Sequence, residues 1–455
     1  MNCGVQIDEI QNQIDQLFSS ILLTQKKFRS TKDPDPKKKE HLETFLDEYE
    51  GVRGRKLFFP YASTGRGHGP FTELMDGSVK YDLINGIGFN ILGHSHPIQI
   101  KSALEAACLD SMMVGNLQAY KAPFTLSKIL LDTVSDSKLR HFWFAGSGSF
   151  ANDMALKILW QKKAPQYKLI ALQKAFAGRS VATQEITASA TYREGMPKYL
   201  DIFHVPGWDE SDPEGSKDKT IKALDELLKK EGDEFCAITL ELVQGEAGFI
   251  FGTQEYYRAV FDWAKDKNLY IWIDEIQTFT RTRELFAFQM FGLEKYVDVV
   301  TIGKALQGAG VLYSEELNPK PGLIAGTFNG SLPGIIMGTK TIKFLTEGGF
   351  YGDAGRMQEI EHNFLSRLKA LSEGPCKGKL GSARGVGTMI AFEVGDASKE
   401  VTVQYIKTLF NNGIISFSAG SHPTRVRFLL PVCLTEEHIE NIFQIIEKTT
   451  HEVIG

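Results

Sequence analysis

Cysteine is scarce in this chain: five occur in 455 residues, at positions 3, 108, 236, 376 and 433, with no C-x-x-C pair and no cysteine–histidine cluster at metal-ligand spacing. That scatter excludes a disulfide framework and a structural zinc site, and it predicts reduced thiols in a cytoplasmic protein. Long apolar runs are missing as well. Nowhere do 18 apolar residues follow one another, so no transmembrane helix is expected, and the opening MNCGVQIDEIQ lacks the basic and apolar regions of a secretory leader. Charge of one sign is not in excess either: 51 basic against 56 acidic residues leave a net charge of −5, which gives no footprint for nucleic acid or an anionic membrane. Repeats and low-complexity tracts are absent. What remains is a globular composition, 42% apolar and 24% charged, long enough for two or three domains and suited to small-molecule substrates.

Near the start, Ile7, Ile10, Ile14, Leu17 and Ile21 recur at three- and four-residue steps and predict a helix over 5–25 that docks on its own body or on a partner subunit. The following KKFRSTKDPDPKKK has two X-Pro breaks and seven cations, and reads as an exposed linker. From about 130 to 310, β-branched and aromatic runs (RHFWFA, YKLIAL, FCAITLEL, LYIWIDE, DVVTIG) alternate with amphipathic stretches. Such alternation predicts βα units and a largely parallel sheet covered by helices. The last hundred residues mix helices over 354–371 and 435–450 with the strands GTMIAFEV and TRVRFLL, which predicts a separate α+β lobe.

Three features carry chemistry. Lys304 follows VDVVTIG, 30 positions beyond the Asp274 that ends LYIWID, so two strands deliver an amine and a carboxylate to nearby sheet edges. A strand-end lysine alone is most often a surface residue. The strand RHFWFA runs into Gly146, Ser147, Gly148 and Ser149 ahead of a helix, where free amides, the helix dipole and two hydroxyls form an anion cradle suited to phosphate, or else an ordinary Ser-capped helix start. A P-loop is excluded, because no G-x-x-x-x-G-K-S/T string exists. GSGSFA keeps a weakened dinucleotide signal, with Ala151 at the third glycine position.

Phosphate cradle, strand-end aspartate and later strand-end lysine together fit pyridoxal 5′-phosphate, and here the chain resembles the class III aminotransferases, fold-type-I enzymes that use this cofactor. The likeness runs over about residues 70–445 through DLINGIGFNILGHSHP, GSGSFAND, ELVQGEAG, IDEIQTFTRTRELFAFQMFG, DVVTIGKAL, GTFNGSLPG, ARGVGTMIAFEV and RVRFLLPVCLT, in the family's order. The resemblance implies a large domain over 106–345 with a mostly parallel seven-stranded sheet sandwiched by helices. A smaller α+β domain would be formed by 56–105 and 346–455, with 1–55 as an N-terminal helix and linker arm. It implies that Lys304 holds the cofactor aldehyde as a Schiff base and moves protons, and that Asp274 keeps the pyridine nitrogen protonated. It assigns the phosphate to Ser147, Gly148 and Ser149, ring stacking to Phe176 and the ring hydroxyl to Gln277. Thr327 would reach the phosphate of the other subunit in a homodimer with shared active sites. On the substrate side it assigns Arg427 to an α-carboxylate, Glu246 to neutralising that arginine, and Arg179 to a distal carboxylate.

The function implied is ping-pong transfer of an amino group from an ω-amino acid (ornithine, acetylornithine, lysine or 4-aminobutyrate type) to a 2-oxo acid, 2-oxoglutarate first. An aminomutase or decarboxylase on the same scaffold, or a non-catalytic descendant, are the other readings. Five positions depart from the family pattern: Phe150 for glutamate, Ala177 for histidine, Leu242 for proline, Thr280 for glycine and Gln307 for a small residue.

Overall fold

Strands in this chain that are apolar at nearly every position are buried on both faces, as a parallel sheet between helices requires. The computed structural model describes residues 10–109 and 119–455, which fall into two compact units: one within Glu105–Gly355, the other made of residues up to Leu104 together with Arg356–Gly455. The first unit holds a seven-stranded sheet of β1 (Leu139–Ala145), β2 (Lys168–Leu172), β3 (Ile202–Val205), β4 (Phe235–Leu240), β5 (Tyr270–Glu275), β6 (Val299–Ile302) and β7 (Ala309–Ser314). Its order is β1-β7-β6-β5-β4-β2-β3. Pairing is parallel between β6, β5, β4, β2 and β3, whereas β7 runs antiparallel to both β6 and β1. Six strands therefore point the same way, and their carboxyl ends share one edge.

The helix Gly148–Lys163 covers this sheet. Its Ala151, Met154, Ala155, Ile158 and Leu159 recur at helical spacing and pack into a core with Cys236, Ala237, Trp272 and Val299. Ser147 caps its start and Lys162 and Lys163 close its last turn, each at the end its charge or hydroxyl favours. All five runs read as strands are strands. Two more, β3 and β7, complete the seven strands that the resemblance implies, although no run marks them in the sequence: IFHV is short, and AGVLYS follows the glycines of a turn.

The second unit contains two four-stranded sheets. One joins Ser63–His68, Phe71–Leu74, Val79–Asp82 and Ile414–Ile415; the other joins Leu380–Val386, Met389–Val394, Arg425–Leu429 and Phe417–Ala419. The helices Arg356–Glu373, Lys399–Asn411 and Glu436–Ile454 complete an α+β unit. Near the N-terminus the helix runs Gln11–Gln25 and buries only Ile14. Asp15 pairs with Lys101 at 3.0 Å, and Lys101 also lies 4.7 Å from the Phe18 ring, so the helix docks on its own unit. Ile7 lies outside the described residues. The expected linker is largely exposed, but Phe28 is buried, Lys32 pairs with Val79, and Asp35 caps a helix over Pro36–Arg53. Here the second X-Pro marks a helix start, because proline at the first helical position sacrifices no hydrogen bond. Among the described residues no helix is long and apolar enough to cross a membrane.

Candidate active site

Six strands running the same way release their chains at the shared carboxyl edge, where open α/β sheets place their ligands. Asp274 sits there, one residue from the end of β5 and opposite Thr301 of β6. Lys304 emerges two residues past the end of β6, half-buried, with φ +47° in a left-handed conformation that lysine seldom adopts. The Lys304 charge acts on Asp274, favouring its ionised form. Sequence spacing thus brought the amine and the carboxylate to the same place.

Asp274 is held by two neutral donors. The Ile276 amide gives a 2.9 Å hydrogen bond to Oδ1, and Asn152 Nδ2 gives a 2.7 Å bond to Oδ2. Asn152, fully buried in the first turns of the helix Gly148–Lys163, donates from the same nitrogen to the Ala177 carbonyl at 2.6 Å. One amide therefore ties the aspartate to the segment carrying Phe176. Burial nonetheless raises the Asp274 carboxyl to about 6, against these hydrogen bonds and the Lys304 charge.

The turn at 146–149 is built on close backbone approach. Ser147 Oγ accepts from the Phe150 amide at 3.2 Å, and Ser149 Oγ accepts from the Arg179 amide at 3.1 Å. A Cβ on Gly148 would come within 2.9 Å of Ile276, and one on Gly178, at φ +128°, would fall against Ser149. Gln277 is buried, and its Oε1 has no hydrogen-bond partner among the described residues. Gly245 leaves room for that amide.

Phe176 is half-buried, 5.9 Å from the Tyr192 ring, and Arg179 is exposed beside it. Glu246 is half-buried one residue past Gly245, and Thr327 is exposed on the loop after Gly326. Arg427 belongs to the other unit, 1% exposed on the strand Arg425–Leu429, with its guanidinium 5.8 Å from the Phe417 ring. Two departures from the family pattern are conformationally telling: Thr280 at φ +70° and Gln307 at φ +64° both occupy backbone that glycine adopts without strain.

Two residues of this edge escaped sequence reasoning. Asn152 resembles a surface polar residue of the helix, yet it borders the buried stripe of Ala151, Met154 and Ala155. Glu241 follows β4 as a carboxylate at a strand end, the same signal that marked Asp274. Its Oε1 accepts from the Phe176 amide at 3.0 Å and its Oε2 from the Gly245 amide at 2.9 Å. Burial, then the Asp274 charge, raises its carboxyl to about 8, and burial raises that of Glu275 to about 7.

These shifts have a signed consequence. A carboxyl that keeps its proton to higher pH when folded than when unfolded lends stability below its unfolded pKa, and that stability is lost as pH rises through the folded value. For Glu241 the loss ends near pH 8. Half-buried histidines such as His96 and His204, lowered by burial, act oppositely below about pH 6.5, so the comparison is between variants. The denaturation midpoint of Glu241→Gln apoprotein should gain on wild type as pH rises from about 6 to 8.5; a constant difference would show that Glu241 ionises freely in the fold.

A model of the family described as Aminotransferase class-III matches residues 54–450. The chain is 27% identical over 402 residues to an acetylornithine aminotransferase of Caldanaerobacter subterraneus, covering 85% of this chain and 94% of the relative. It is 30% identical over 383 residues to the enzyme of that name from Methanothermobacter thermautotrophicus, covering 80% and 88%. Among solved structures, a lysine aminotransferase from M. tuberculosis superposes with a TM-score of 0.79 at 20% identity over 90% of this chain and 99% of that one. A Bacillus anthracis aminotransferase gives a TM-score of 0.80 at 18% identity over 91% and 99%. At such identities the two structures speak for the fold.

Proposed function

The chain belongs to the class-III aminotransferase family and is therefore a transaminase; from this we propose that it uses pyridoxal 5′-phosphate to move the terminal amino group of an ω-amino acid to a 2-oxo acid. The donor is of ornithine, acetylornithine, lysine or 4-aminobutyrate type, and the acceptor is 2-oxoglutarate. The observation that carries this reading is the meeting of Lys304, Asp274 and the Ser147–Ser149 turn at one sheet edge.

The residues present fit the cofactor. The glycines at 148 and 178 keep side chains out of the phosphate turn, Gln277 Oε1 offers a buried acceptor, and Asp274 is a buried carboxylate held by neutral donors. When bound, pyridoxal 5′-phosphate supplies an aldehyde that takes up nitrogen and a ring that accepts electrons from a breaking C–H bond. Gly148 and Ser149 present backbone amides and the positive end of a helix dipole to the phosphate. Asp274 would keep a proton on the ring nitrogen. Phe176, with its amide fixed by Glu241, would cover the ring, and Gln277 would bond the ring hydroxyl. Lys304 Nζ is the amine that would hold the cofactor's aldehyde carbon, and the same nitrogen would move the proton of the substrate carbon. The family likeness assigns Arg427 to an α-carboxylate, Arg179 to a distal carboxylate, and Glu246 to donors whose amine lies far from the carboxylate.

The family likeness also supports a cytoplasmic homodimer with shared sites, in which the exposed Thr327 reaches the phosphate turn of the partner subunit, and no nucleic-acid or membrane partner. A panel of ω-amino acids assayed with 2-oxoglutarate should give glutamate in stoichiometric yield with one of the four donor types. Turnover that proceeds without any oxo acid, or glutamate from none of the panel, would overturn the assignment.

A further inference from the structure

The guanidinium of Arg179 does not stand free beside Phe176. Its carbon lies 4.1 Å from the centre of the Tyr192 ring and 5.9 Å from that of Phe176, while the two rings meet edge to face at 5.9 Å. Both ends of this contact are fixed from behind. The Arg179 amide is bonded to Ser149 of the phosphate turn. Tyr192 sits on a short turn, Ala190–Arg193, whose Arg193 donates to the Thr187 carbonyl at 2.7 Å, and Thr187 Oγ1 in turn accepts from the Ala177 amide at 3.0 Å. These bonds, joined through the backbone of 176–179, hold Phe176, Arg179 and Tyr192 in a common frame.

A guanidinium has a flat face and an edge of N–H donors. Carboxylates take the edge, in bidentate pairs; aromatic rings take the face. A long exposed arginine samples many rotamers, and each one lost on binding costs affinity. A ring laid against the face removes that freedom in advance and leaves the edge open.

We propose that Tyr192 is a positioning residue that sets selectivity for dicarboxylic substrates: its ring stacks on Arg179 and aims the N–H edge at the distal carboxylate of a five-carbon dicarboxylic acid such as 2-oxoglutarate or glutamate. This rests on the reading of Arg179 as the distal-carboxylate residue, and extends it by naming what orients the arginine. Tyr192 itself touches no reacting atom. Its hydroxyl has no part in the device, so phenylalanine replaces it and alanine does not.

The test is a double-mutant cycle on the holoenzyme, with 2-oxoglutarate as varied acceptor and a saturating donor. Tyr192→Ala should raise the KM for 2-oxoglutarate about 2- to 5-fold, the worth of one partly exposed cation–π contact, with little change in kcat. Tyr192→Phe should restore the wild-type KM. In an Arg179→Ala background, Tyr192→Ala should add nothing further. An effect of Tyr192→Ala that persists without Arg179, or that falls on kcat with KM unmoved, overturns the proposal. If Arg179→Ala itself leaves the KM for 2-oxoglutarate unchanged, the reading of Arg179 fails first and the proposal falls with it. A Tyr192→Ala protein that does not fold is replaced by Tyr192→Leu, which keeps bulk without the ring's charge distribution and should raise KM as alanine does.

Discussion

Lys304→Ala should abolish turnover, lowering the rate of glutamate formation by at least about 10⁴-fold, the upper range for losing one general acid–base group. The argument is one of cost as much as of chemistry. A half-buried ammonium beside a carboxylate raised by burial to about 6, on backbone at φ +47°, combines desolvation with conformational strain. The desolvation cost is removed if the amine is consumed in a covalent bond and deprotonated for part of each cycle. Lys304→Arg separates charge from reactivity. Arginine keeps the positive charge beside Asp274 but cannot give up its proton near neutral pH, so it should be as inactive as alanine. Retention of more than about one hundredth of wild-type turnover by either variant would be incompatible with these roles.

Asp274→Asn is expected to have the second-largest effect, a fall in kcat of about 10³-fold with the protein still folded. At ~4 Å and an effective dielectric of ~20, a carboxylate–pyridinium pair is worth about 4 kcal/mol, or three powers of ten in rate. Asparagine fills the same space and can still accept the Ile276 amide bond, but it brings no charge to hold a proton on the ring nitrogen. It also presents an amide to Asn152 where a second acceptor stood, so Asp274→Asn/Asn152→Asp tests geometry against charge: the carboxylate then sits one side chain away. Recovery of less than about a tenth of the loss would assign the effect to the position of the charge. Loss of activity accompanied by loss of the visible absorption of bound cofactor would instead assign Asp274 to binding.

The elements that sequence made legible are those whose pattern is local. The wholly buried runs of β4, β5 and β6 mark a parallel sheet, and Lys304 and Asp274 stand out because each follows or ends such a run. The glycine–serine turn at 146–149 was legible for the same reason, since a strand runs directly into a capped helix. What stayed hidden depends on contacts distant in the chain. Asn152 matters through Asp274, 122 residues away, and through Ala177, 25 residues away. Tyr192 lies in a segment with no periodicity, and the role proposed for it comes from where Arg193 anchors it. The helix Pro36–Arg53 was missed because proline reads equally as a break or as a helix start, and the Asp35 cap decides between them.

The most direct measurement is borohydride reduction of the protein loaded with pyridoxal 5′-phosphate, followed by peptide mapping. The account expects a single phosphopyridoxyl adduct on the Lys304 side chain, absent in Lys304→Ala and absent when an accepted amine donor is added before the reductant. An adduct on another lysine, or none under conditions where the cofactor is bound, would contradict it.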